Sequence, residues 1–65
     1  MYTVTLEFEA CYDHERVFCQ SVAEVEDRGQ SLDLVINAAK SETLAFAQSL
    51  GATEIRFVSI TVNHE

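Results

Sequence analysis

Cys11, Asp13, His14 and Glu15 form the one place in the chain where a thiol, an imidazole and carboxylates fall within five residues. A Cys–His pair works as a nucleophile only if something lowers the thiol pKa and something else holds an oxyanion. The run Asp13-His14-Glu15-Arg16 interrupts two apolar segments and reads as a solvent-exposed hairpin tip, which supplies neither. Metal ligation fares no better, since there is no C-x-x-C and neither His14 nor His64 has a ligand-type companion four residues on. Gly29 and Gly51 are isolated and form no phosphate-binding loop. Paired carboxylates need a cleft to shift their pKa values, and so short a chain offers little. We therefore expect no catalytic residue, no metal and no cofactor, and a chain that is not an enzyme.

What remains is binding. The net charge is −7, and the four basic residues, Arg16, Arg28, Lys40 and Arg56, are dispersed. That balance argues against direct contact with nucleic acid or anionic membrane and in favour of a partner with a basic surface. No apolar run approaches a membrane span, and the start, Met1-Tyr2-Thr3-Val4, lacks a basic region followed by an apolar block. The expectation is a cytoplasmic protein.

The elements that must position any binding surface follow from periodicity. Tyr2, Val4, Leu6, Phe8, Ala10 and Tyr12 alternate with Thr3, Thr5, Glu7, Glu9 and Cys11, the period-2 signature of a half-buried strand. A second strand runs from Val17 to Val25. Pairing Tyr12 with Val17 across a four-residue turn, Asp13 to Arg16, keeps both apolar sets on one face and opposes Leu6 to Ala23 and Cys11 to Phe18. In that register Cys11 and Cys19 lie on opposite faces and stay free thiols. A three-residue turn would bring them together, but it would set Leu6 against Glu24.

Ser31 caps a helix expected over Leu32–Leu50, with Asp33 near its positive end and Gly51 as its stop. The face Leu32, Val35, Ile36, Ala39, Thr43, Phe46, Ala47 and Leu50 is expected to pack on the sheet. A last strand is expected over Glu54–Val62, followed by a polar tail, Asn63-His64-Glu65. The fold class is α+β: a ββαβ single domain spanning residues 1–65. Its three-stranded antiparallel sheet has order 2-1-3, with one helix on one face. At 65 residues the domain buries only about 60% of the surface its unfolded chain exposes, so its stability is marginal.

Three surfaces are candidates for binding. Leu34, Ala38, Ser41 and Ala45 make a second helix stripe, small enough to seat another helix and so to form a homodimer. Phe18 and Val22 fall on the uncovered sheet face, joined by one apolar set of strand three, either Ile55 and Phe57 or Val58, Ile60 and Val62. Glu7, Glu9, Glu24 and Glu26 are expected on that same face, the strand carboxylates about 6.6 Å apart. Seven of the eleven acidic residues lie in the first 27 positions. A row like this could occupy a basic groove built for nucleic acid.

The opening Tyr2-x-Val4-x-x-Glu7 strand with the helix that follows resembles HicB-type antitoxin domains, over the hairpin-plus-helix pattern alone. As a fold, a tiny acidic ββαβ chain resembles inhibitors encoded by phages and mobile elements, including anti-CRISPR proteins. The resemblance implies action by covering a partner, a protein or nucleoprotein complex. The alternative expectation is a structural or homo-oligomeric module, or an antitoxin-like regulatory domain.

Overall fold

The computed structural model describes Met1–Glu65 as β1 (Tyr2–Tyr12), β2 (Glu15–Val25), α1 (Leu32–Ser49) and β3 (Ala52–His64). The sheet order is β2-β1-β3, all neighbours antiparallel, with α1 on one face. The strand with the cleanest alternation is thus the central one, because only there are both neighbours strands and one full face core. Val4, Leu6, Phe8 and Ala10 are all buried. They meet Ala23 of β2 and Val35, Ala39 and Ala47 of α1 in two adjoining clusters.

The hairpin is tighter than the sequence suggests. Tyr12 pairs with Glu15 and Leu6 with Ser21, a shift of two residues from the expected register. The turn is Asp13-His14 alone, both with positive φ (50° and 69°), as a type I′ turn requires. Its twist matches that of the strands, whereas a longer loop would order more chain for the same pairing. A shift of two preserves parity, so every β2 side chain keeps its expected face. Cys11 and Cys19 remain free, on opposite faces.

β3 contains the largest departure from expectation. Strict alternation predicts one apolar set turned outward. Instead, pairing jumps from Glu7↔Ser59 to Phe8↔Phe57, leaving Val58 as an extra residue in a bulge. The bulge switches phase in mid-strand, so Ile55 and Phe57 before it and Ile60 and Val62 after it all face the core. Only Val58 is left exposed. A second bulge leaves Thr53 unpaired. The polar end is not a tail: Asn63 and His64 pair with Thr3 and Tyr2, and the backbones of Glu65 and Met1 close the ladder. The His64 ring stacks on Tyr2 at 4.3 Å.

α1 starts at Ser31, whose Oγ accepts from the Leu34 N–H, and stops where Gly51 takes φ +99°. Its buried line is Val35, Ala39, Thr43 and Ala47. Three of these four are small, so the helix sits low on the sheet and its contact is narrow. Leu32, Phe46 and Leu50, expected in the core, are more than half exposed. One polar link ties helix to hairpin: the hydroxyls of Ser21 and the buried Thr43 lie 3.0 Å apart.

Candidate interaction surfaces

The outer face of the sheet is set by the parity of β1. Thr3, Thr5, Glu7, Glu9 and Cys11 point away from α1 and form its central row. Cross-strand pairing then gives each a neighbour on both sides. Glu9 lies between Phe18 and Arg56, Glu7 between Gln20 and Ser59, and Thr5 between Val22 and Thr61. Phe18 and Val22 are exposed by 60% and 62%. These two large apolar side chains stand two rows apart among side chains of the three strands that, Cys11 apart, are charged or polar.

The acid on this face is not uniform. Arg56 approaches Glu9 at 4.0 Å, and Arg16 approaches Glu54 at 3.9 Å. Glu7 and Glu24 have no cation within that distance. They are therefore the free carboxylates of the face: Glu7 stands on β1 in the row between Phe18 and Val22, and Glu24 on β2 in the row beyond Val22. Glu26 lies one residue beyond β2, where Arg28 holds it through Nη2 at 2.9 Å and Nε at 3.1 Å. It belongs to the connection rather than to the sheet face. Arg16 faces outward through its pairing with Cys11, and Arg56 because the β3 bulge turns Ile55 and Phe57 inward.

The connection and the C-terminal end of β3 form a third grouping. His64 Nε2 lies 2.7 Å from Asp27 Oδ2, and the Gly29 N–H donates to Asp27 Oδ1 at 3.0 Å. The Gly29 hydrogen bond first, and the His64 side chain second, hold the Asp27 carboxyl below its ordinary value of 3.8. The cluster was missed in the sequence because residues 63–65 read as a tail. It pins the β2–α1 connection to the sheet.

On the helix, Leu34, Ala38, Ser41 and Ala45 are all exposed. The stripe is thus present as expected and lies away from the sheet. Elsewhere the surface has only open grooves of about 250–410 Å³. One of about 270 Å³ runs between α1 and β2, with Phe46 on one wall and Ala23 on the other. No three His, Cys, Asp or Glu side chains gather as a metal site. No helix is long and apolar enough to cross a membrane. Comparison with protein families, with characterised proteins and with solved structures finds no match to this chain.

Proposed function

We propose that this chain is a non-enzymatic interaction module, a small acidic inhibitor or regulator. It binds a larger protein or nucleoprotein complex that presents a basic surface, using the outer face of its sheet. One observation carries the reading: exposed Phe18 and Val22 alternate along the face with the unpaired carboxylates of Glu7, in the row between them, and Glu24, in the row beyond Val22. Apolar anchors give a contact its affinity, and free charge beside them gives orientation and rate. A sheet presents both on a rigid frame, so little ordering entropy is lost on binding. Glu9, screened by Arg56, and Glu26, held by Arg28, are peripheral to this contact.

The test is affinity capture with matched baits: wild type, Glu7→Lys with Glu24→Lys, and Phe18→Ala with Val22→Ala. All four side chains are partly or fully exposed, so the folds should survive, and circular dichroism checks that. A partner is expected on the wild type, lost on both variants, and released as salt rises from about 50 mM to about 500 mM. A partner retained equally by all three baits would sink the reading.

A further inference from the structure

β2 is an eleven-residue edge strand whose outer backbone groups have no partner. Natural edges of that length are normally blunted by bulges, prolines or lysines. β3, the other edge, carries two bulges. β2 carries none, and it contains neither proline nor lysine. We propose that this edge pairs with β2 of a second copy of the chain, joining two sheets into one of six strands.

The sequence of β2 is self-complementary about its own midpoint. A two-fold axis through Gln20 sets Glu15 opposite Val25 of the second copy, so all eleven residues pair. The same register sets Arg16 against Glu24 and Phe18 against Val22, each pair occurring twice by symmetry. Centring one residue earlier faces Arg16 with Val22 and Phe18 with Gln20. Centring one residue later faces Phe18 with Glu24. The register of full-length overlap is therefore also the one that matches charge to charge and apolar to apolar.

The helix side of the edge agrees. Phe46 is 65% exposed on the wall of the groove beside Ala23, and Val17 is 41% exposed at the edge. In this register Val17 of the second copy pairs with Ala23, which brings it beneath Phe46. Two apolar side chains that the monomer leaves open would then cover one another. Arg16 gives up only a solvent-exposed 3.9 Å contact with Glu54. The outer faces of both sheets remain open although Glu24 is then shared with Arg16 of the second copy, and sedimentation of the chain alone tests the dimer apart from the partner-binding reading.

Sedimentation equilibrium of the full chain from about 1 µM to about 500 µM tests the proposal, since a single edge contact sits at the weak end of interfaces. A monomer–dimer equilibrium is expected. Arg16→Glu should weaken it at least about tenfold, because two attractions become repulsions. Adding Glu24→Arg to that variant should restore it, and Val22→Lys, at a position already 62% exposed, should abolish it independently. A wild type that stays monomeric throughout overturns the proposal. So does a dimer indifferent to Arg16→Glu and Val22→Lys, or one that the charge swap fails to restore.

Discussion

Deleting Val58 should leave the fold intact, although it removes a β-branched apolar residue from the middle of a strand. The residue occupies no rung of the β1–β3 ladder: Phe57 pairs with Phe8 and Ser59 with Glu7 on either side of it. Without it those two rungs become consecutive, and Ile55, Phe57, Ile60 and Val62 keep their faces. Val58 is 55% exposed, so the lost burial is under about 1 kcal/mol. A regularised ladder returns a similar amount through improved hydrogen bonding, about 0.5–1.5 kcal/mol. The net change should lie within about 1 kcal/mol of zero. Deleting Thr61 is the control. It removes one rung, and no position of the bulge then keeps all four apolar residues inward. If the strand gives up its bulge, Ile60 alone turns out and Ser59 turns in against Leu6, at a cost of about 1.5–3 kcal/mol, a large part of what a domain this small possesses. Urea denaturation followed by circular dichroism reads both. An unfolded Val58 deletion, or a Thr61 deletion as stable as wild type, would refute the phase-switch argument.

The remaining predictions concern the core and the connection. Leu6→Ala, at a fully buried position in the central strand, should cost about 3–5 kcal/mol and leave the chain largely unfolded at 25 °C, as read by the urea midpoint. Asp27→Asn should lower stability at neutral pH. Because the folded carboxyl is held below 3.8, its contribution is full above that value and fades as pH falls through the folded one. The urea midpoints of wild type and variant should therefore separate at pH 7 and converge as pH falls below the folded value; a gap that persists in acid would contradict the assignment.

Much of the fold was legible because β1 is a central strand with one face in the core. Its alternation fixes the sheet face, and through parity the face of every β2 side chain. Ser31 and Gly51 bound the helix for equally local reasons. The misplaced features are those decided by competition between distant parts. Nothing in Asp13-His14-Glu15-Arg16 says which two residues turn, since neither central residue is glycine; strand twist decides. The β3 bulge is invisible locally, because it answers the demand for four inward apolar side chains rather than any turn residue. Phe46 was assigned inward by its place on the helical wheel, but the small line of Ala39, Thr43 and Ala47 brings the helix close and pushes the larger ring to the flank. Glu26 is placed on the sheet face only if the parity of β2 is carried one residue past its end at Val25, where Arg28 and the connection take over.

The outer sheet face is the proposed contact surface, and its direct test is capture of a partner by wild type beside Glu7→Lys with Glu24→Lys. A partner that binds the first bait, is absent from the second and leaves the first as salt rises is the predicted result. A partner held equally by both, at low salt and high, would contradict it.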